Sequence, residues 1–555
     1  SATLEATAGT VTGRYQTTAR NDEDWGILEA QTTKGVNYFR DSAMLAGADT
    51  LEFAQVDPVT GAMGTYSTEH DATISGSYVT NTVEISDWGT VTDTRTKGYN
   101  FHRTTGQYST VTLEATAGTV TGIYLTTARN DESWGLLEAQ TTKGVNYFRD
   151  SVRLAATDTL EFADVDPDTG VIGAYSTDND ATISGNYVTR ATEIADWGTV
   201  TNTQTDGYNF HRTTGRYSTE TLEATAGTVT GVYKTEAEND QWGTLQSQTT
   251  KGVNYFRDSA LLTGVDTLEF AEVNPVTGAM GAYSTDNGAT ISGSYVTRAT
   301  DVADWGTVAE TTTDGYNFHR TTGRYDEATL EATSGIVTGS YQTIATNGEW
   351  GELQGQTTRG VNYFRDSAHL AEVDMLEFAE VDPGTGEVGA YSPEHDATIS
   401  GSYVTEAAEI TTWGTVTETE TEGMNFHRTT GRYSSDTLEG TEGTVTGRYI
   451  TVARNDENWG TLEAQTTSGV NYFRDSVRLA GVDRLEYADV QPDGTFSKWG
   501  DYTAVISGSY VTRSTGIGDW GTVTNTETEG LNFHKTTGRY DEATLRATSG
   551  TVTGK

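Results

Sequence analysis

The chain has 555 residues and a formal net charge of −44, from 35 Lys+Arg against 79 Asp+Glu, and it has no cysteine. So acidic a chain argues against nucleic acid and anionic membrane as partners, because both need a basic surface; the missing cysteines exclude disulfides, cysteine–zinc sites and a thiol nucleophile. No run approaches the roughly 18 apolar residues of a membrane-spanning helix, and an aromatic content of 10 % points to a folded chain rather than a disordered one.

The string Thr-Leu-Glu-Ala-Thr begins at Thr3 and recurs from Thr112 and Thr221, with variants from Thr329, Thr437 and Thr544. These starts divide the chain into β-repeats at 1–111, 112–220, 221–328, 329–436 and 437–543. The remainder, 544–555, is the start of a sixth repeat or an inter-chain junction strand. Each repeat is itself a duplication, as Gly9–Arg40 and Ala72–Arg103 show. Both read as a Thr/Val strand, Gly-x-Tyr, Trp-Gly, a Thr-rich stretch, then Asn, an aromatic residue or Phe-His, and Arg. Ten tryptophans, Trp25, Trp88, Trp134, Trp197, Trp242, Trp305, Trp350, Trp413, Trp459 and Trp520, are each followed twelve residues later by Asn, from Asn37 to Asn532. One supersecondary unit of roughly 54 residues is therefore used ten times, within the period range of solenoids and propellers. The units alternate between a long half A, with an insertion such as Val56–Asp71, and a short half B.

In each unit the period is two. Val11, Gly13 and Tyr15 share one face of a strand, and Thr12, Arg14 and Gln16 the other. Four strands per unit are predicted: the Gly-x-Tyr, Trp-Gly, Asn-aromatic and Thr-Leu-Glu strands. A helical turn near Asp41–Leu45 is the one helix expected. Pro58, Pro167, Pro275, Pro383 and Pro492 all fall in the A insertions, where proline stops pairing and stiffens a turn. The fold class is all-β: a tandem array of ten four-stranded units paired into five modules, elongated, with a closed propeller-like ring as the alternative. Ten blades exceed the usual four to eight, and one segment found near both ends suits a linear array.

Two constellations carry chemistry. Trp88, Asn100 and Arg103, with Trp197, Asn209 and Arg212 and with Trp305, Asn317 and Arg320, have the residue types of a multivalent polysaccharide site: indole faces for sugar rings, amide and guanidinium for hydroxyls. The alternative is structural: Trp packs the core of its unit, Asn bonds backbone at a bend, and Arg offsets neighbouring carboxylates. His102 and its equivalents occur only in B halves where A halves have Phe, as at Phe39, so the position is expected to be half-buried and set by packing. Asp164, Asp166 and Asp168 place oxygens on alternate residues of a turn, which resembles the first part of an EF-hand-type loop without its distal Glu; Ca²⁺ is the cofactor this suggests. No nucleophile, metalloprotease or phosphate-loop motif occurs, and a constellation present ten times is more often packing or binding than an active site, so no enzyme is expected.

These readings lead to a secreted structural or cell-surface protein: a fibre, sheath, surface layer or adhesin stalk, self-associating head-to-tail and stabilised by divalent cations. The traits are similar in kind to repeat regions of bacterial surface adhesins. Chains joined by strand addition at their ends, where Ser1–Arg14 and Glu542–Lys555 are near-copies, would form filaments. A start at Ser1 without Met fits a cleaved precursor. The alternative function is a lectin-like protein using the Trp/Asn/Arg sites.

Overall fold

The computed structural model describes residues 6–518 and 520–555; the first Thr-Leu-Glu string and the first five residues of the Ser1–Arg14 segment lie outside them. All its regular elements are strands. The first repeat contains β1 (Gly9–Thr10), β2 (Gly13–Asn21), β3 (Leu28–Tyr38), β4 (Ala43–Gly47), β5 (Thr50–Val56), β6 (Met63–Ser67), β7 (Ile74–Ile85), β8 (Val91–Phe101) and β9 (Gln107–Tyr108), and β10 (Ala115–Asn130) opens the second. From the second repeat on, where the counterparts of β1 and β2 are one strand, each repeat averages four strands per unit, shared as five in half A and three in half B. Two long strands per unit form a hairpin, and the short strands fold back at its base.

The hairpins join into one antiparallel sheet. β2 pairs β3, β3 pairs β7, β7 pairs β8 and β8 pairs β10, and the same order continues without a break to the pair Ile506–Ile517 and Val523–Phe533. The sheet is not closed into a barrel or ring. At one edge β2 has β3 as its long-strand neighbour, and at the other Val523–Phe533 carries only the short strand Val552–Gly554 beyond it.

The two faces of the sheet have different fillings, as period two requires. On one face the bases of the hairpins are covered by the short strands. Val36, Val145, Val253, Val361 and Val470, one per repeat, are fully buried there, as are Ile74, Ile183, Ile291, Ile399 and Ile506. Phe53 of β5 meets Tyr38 at 5.6 Å, and the Tyr38 and Tyr108 hydroxyls bond at 2.8 Å. On the other face the Tyr of each Gly-x-Tyr from Tyr78 onwards lies over a glycine of the preceding strand. A Cβ on Gly144 would be 2.3 Å from Tyr187 Cζ, and one on Gly98 would be 2.1 Å from Tyr124 Cζ. Glycine is required there because the ring fills the space of a side chain. Cross-strand threonine pairs, such as Thr80–Thr96 at 2.7 Å and Thr189–Thr205 at 2.8 Å, continue this face towards the tips.

Three sequence expectations change. The Asp41–Leu45 segment is no helical turn: Arg40 bends the chain with φ 43°, Ser42 N bonds Phe39 O, and strand β4 begins at Ala43. The Trp-Gly and Asn-aromatic strands are one strand, because Trp-Gly occupies the hairpin turn before it. The Thr-Leu-Glu and Gly-x-Tyr segments likewise merge, their inner portions forming the single strand β10.

Candidate functional site

All tryptophan turns lie along one border of the sheet and all Asn-aromatic-Arg bends along the other. In four of the five A halves the tip turn is tied by a leading aspartate; in the fourth repeat Gly348 stands there and Glu352 accepts from Trp350 N–H instead. Asp22 accepts from the N–H groups of Asp24, Trp25 and Ile27, and Asp131 from those of Ser133, Trp134 and Leu136. These donors hold both carboxyls below the usual carboxylate range, the Trp25 and Trp134 N–H groups first. Gly26 and Gly89 complete their turns with φ 69° and 81°.

The indoles of Trp25, Trp88, Trp134, Trp197, Trp242 and Trp305 are 81–93 % exposed, and Trp350 is 48 % exposed. Tryptophan therefore does not pack the core of its own unit, because the turn carries it beyond the short-strand layer. Nor does it meet its own Asn and Arg. Trp88 and Asn100 lie at opposite ends of β8, about 30 Å apart at strand rise. The same holds for Trp197 with Asn209 and Arg212, and for Trp305 with Asn317 and Arg320.

Trp413, Trp459 and Trp520 show what a tip can join. They are the eighth, ninth and tenth tips, and they dock on the bases of the first, second and third units. The sheet coils back on itself with an offset of seven units. Trp413 lies 4.9 Å from Phe39, and its indole N–H donates to Val59 O at 3.0 Å. Trp520 lies 4.5 Å from Phe148 and donates to Asp168 O at 3.1 Å. Trp459 stacks on His102 at 4.5 Å and 15°, and donates to Asp150 Oδ2 at 3.1 Å. Each docked indole thus has its N–H satisfied, as a covered tryptophan requires. Because seven is odd, a B tip meets an A base and an A tip meets a B base.

The arginines complete the seam. Arg40 donates to Thr412 O, and its guanidinium stands 5.8 Å from the Trp413 ring centroid. Arg103 lies 5.0 Å from that ring and bonds Asn458 Oδ1 at 3.0 Å and Thr415 Oγ1 at 3.1 Å. Arg212 lies 5.3 Å from the Trp520 ring. Trp, Arg and an aromatic residue do come together, but between units six or seven apart. Burial, with Arg103 adding to it, pushes His102 below the usual imidazole value.

The insertion turn is part of the seat. A Cβ on Gly61 would be 2.7 Å from Trp413 Cε2, and one on Gly170 would be 2.9 Å from Trp520 Cε2, whereas nothing lies within 4 Å of one on Gly278. The aspartates proposed for Ca²⁺ shape this turn. Asp166 Oδ1 accepts from Asp168 N at 3.0 Å and Thr169 N at 2.7 Å. Asn274 does the same work in the third repeat without a charge. Asp164 and Asp168 are exposed to either side, and among the described residues no group of three His, Cys, Asp or Glu converges to hold a metal. No described helix is long and apolar enough to cross a membrane.

No family model matches the chain, and no curated protein does. Among solved structures, it is similar to TcdB2-TccC3 without its hypervariable C-terminal region, at 11 % identity and TM-score 0.13, covering 98 % of this chain and 37 % of that one. It is also similar to a porin-like protein from Bacteroides uniformis, at 16 % identity and TM-score 0.09, covering 52 % and 95 %. A third is P. aeruginosa FpvA bound to heterologous pyoverdines, at 8 % identity and TM-score 0.12, covering 97 % and 69 %. The chain spans little more than a third of the first structure, and similarity this low carries no argument about function.

Proposed function

We propose that the chain is a structural repeat protein of a surface or extracellular assembly, whose repeated side chains serve to join one stretch of coiled sheet to another. The observation behind this is the docking of Trp413, Trp459 and Trp520 on bases seven units away, each with its indole N–H bonded. A constellation that recurs in every unit and closes a seam where it meets its counterpart is suited to construction. Electron microscopy of the purified chain tests this. Particles with the coil's seam intact, unaltered by soluble glycans, are expected; a globular rearrangement on glycan binding would overturn it.

A lectin-like role is the second reading, and the exposure of Trp88, Trp197 and Trp305 favours it. Each indole would act there without its own Asn and Arg. Titration with soluble polysaccharides should then quench and shift tryptophan emission. An unchanged spectrum across neutral, acidic and basic glycans counts against that role.

A further inference from the structure

The seam inside the chain leaves two matching borders unused. One carries the outer tips, from Trp25 to Trp305. The other carries the seven open bases of units four to ten; those of units four to nine have the same parts as the occupied ones, and the tenth has Lys535 in place of Arg. His211 Nδ1 lies 3.1 Å from Asp258, and His319 Nδ1 lies 3.6 Å from Asp366, which repeats the His102–Asp150 arrangement under Trp459. Phe364 and Phe473 stand beside Gly386 and Gly494, where an added Cβ would lie 3.8 Å from each ring's Cζ, and Phe256 and Gly278 hold the equivalent positions in the third repeat. In the open bases arginine holds the turn carbonyl that takes an indole N–H in the occupied ones: Arg320 bonds Val276 O at 3.0 Å, and Arg428 bonds Gly384 O at 3.3 Å.

We propose that these borders join a second copy of this chain head-to-tail, in the register of the internal seam, so that six tips of one copy enter six bases of the other. The proposal rests on the structural reading above. With ten units per chain, the first unit of the added copy takes the place of an eleventh, and the offset of seven puts Trp25 on the His211 base and Trp88 on the Phe256 base. Trp134 then meets His319 and Trp197 meets Phe364, and the alternation continues to Trp305 on Phe473. Ten is even, so every A tip finds a B base and every B tip an A base, as inside the chain. The tips bring acids, such as Asp87 and Asp131, towards bases that each carry Arg, which favours this pairing over tip against tip.

The sheet edges agree with the same placement. Tyr15 is 71 % exposed, while Tyr78, its equivalent in the next unit, covers Gly35. At the far edge Gly530 has no ring over it: its nearest atoms are Ser509 O at 3.3 Å and Tyr510 Cβ at 3.7 Å. Val552–Gly554 already pairs with the base end of that edge, so an incoming β2 adds from Tyr15 towards Asn21.

The test uses the absence of cysteine. Inside the chain a Cβ on Gly61 would lie 2.7 Å from Thr412 Oγ1, and the corresponding pair between copies is Gly278 with Asp87. The full chain carrying Gly278→Cys and Asp87→Cys should form a disulfide-linked ladder under mild oxidation. Gly278→Cys with Asp304→Cys, which this register keeps apart, should stay largely uncrosslinked. Because a charge of −44 on each copy opposes contact, the reaction is run at about 0.5 M NaCl, where the screening length is only a few ångströms. In parallel, the unaltered chain should sediment faster with rising concentration, and Trp88→Ala/Trp197→Ala/Trp305→Ala should stay at the single-copy value with the strand circular dichroism unchanged. Equal crosslinking of both pairs, or a single-copy chain at every concentration and salt, overturns the stacking. A single-copy chain whose emission ignores glycans overturns the stacking alone; one whose emission responds overturns the structural reading as well.

Discussion

Gly61 and Gly278 occupy the same place in two repeats and nearly the same backbone, with φ +72° and +70°. Alanine at either position pays the same left-handed penalty, about 1–2 kcal/mol. The difference between the variants therefore isolates what lies beyond the Cβ. At Gly61 that is Thr412 Oγ1 and Trp413 Cε2, both at 2.7 Å; at Gly278 it is open space. A methyl group forced against a packed ring costs about 1–3 kcal/mol. The upper limit is loss of the docked indole: roughly 150 Å² of apolar surface at about 25 cal/mol per Å² gives about 4 kcal/mol. We expect Gly61→Ala to weaken the Trp413 seam by about 1–3 kcal/mol and Gly278→Ala to leave it unchanged. A repeat array opens locally rather than as one two-state unit, so the assay is native-state hydrogen exchange. The amides of Thr411–Val416 should exchange roughly 5- to 150-fold faster in Gly61→Ala. The chain is kept dilute enough to remain single-copy, since stacking would place Trp88 on Gly278. Equal exchange of that hairpin in both variants would refute the seat geometry.

Two pH predictions follow from the same contacts. His102 is held below its usual value by burial and by Arg103, against the opposing pull of Asp150, so it favours the neutral form when Trp459 is docked. Its contribution is complete above the unfolded value of about 6.5 and is lost as pH falls through the lower folded value. As pH falls below about 6.5, exchange at Asp456–Thr461, corrected for intrinsic rates, should quicken while the Trp413 tip on Phe39 is unaffected; parallel behaviour of the two tips would contradict the His102 stack. At the alkaline end, burial raises the tyrosines of the hydroxyl pairs, Tyr325 and Tyr472 to about 12. A raised phenol pKa gives stability that is complete below about pH 10 and is lost as the unfolded state ionises above it. Phenolate absorbance should therefore lag behind free tyrosine and then rise together with loss of strand circular dichroism; full reversible ionisation near pH 10 with the sheet intact would exclude the buried pairs.

The tenfold unit, the strand period and the insertion turns were legible in the sequence because each is local. β-Branched residues recur in the long strands, as in Thr119-Val120-Thr121 of β10, and Pro58 and its equivalents sit where pairing stops. The placement of Trp88 is legible too, although its β-favouring neighbours read as strand: Ser86-Asp87-Trp88-Gly89 is a turn signature, and Gly89 takes φ 81°. The merged strands hide behind small residues, since Gly122 in β10 reads as punctuation while serving as the place where the Asn100 and Asn146 side chains approach the strand. The seven-unit offset was not legible. It is the sum of small twists between neighbouring strands over the whole sheet, and no single residue encodes it.

Arg40, Arg103, Arg149, Arg212, Arg257, Arg320, Arg365, Arg428, Arg474 and Lys535 all take positive φ, between 21° and 46°. A bend alone is served at lower cost by glycine or asparagine, and a long side chain there costs about 1–2 kcal/mol each time. Ten bends that each retain a cation under that strain are therefore selected for what the cation reaches. In the first two units it reaches the incoming tip, Thr412 O from Arg40 and Asn458 from Arg103. In the sixth and eighth units it reaches the turn carbonyl beside the open base instead. The strain is thus spread evenly along the chain, although only three tips within the chain can use it, and the proposed stacking would resolve that imbalance by bringing tips of a neighbouring copy to the remaining bases.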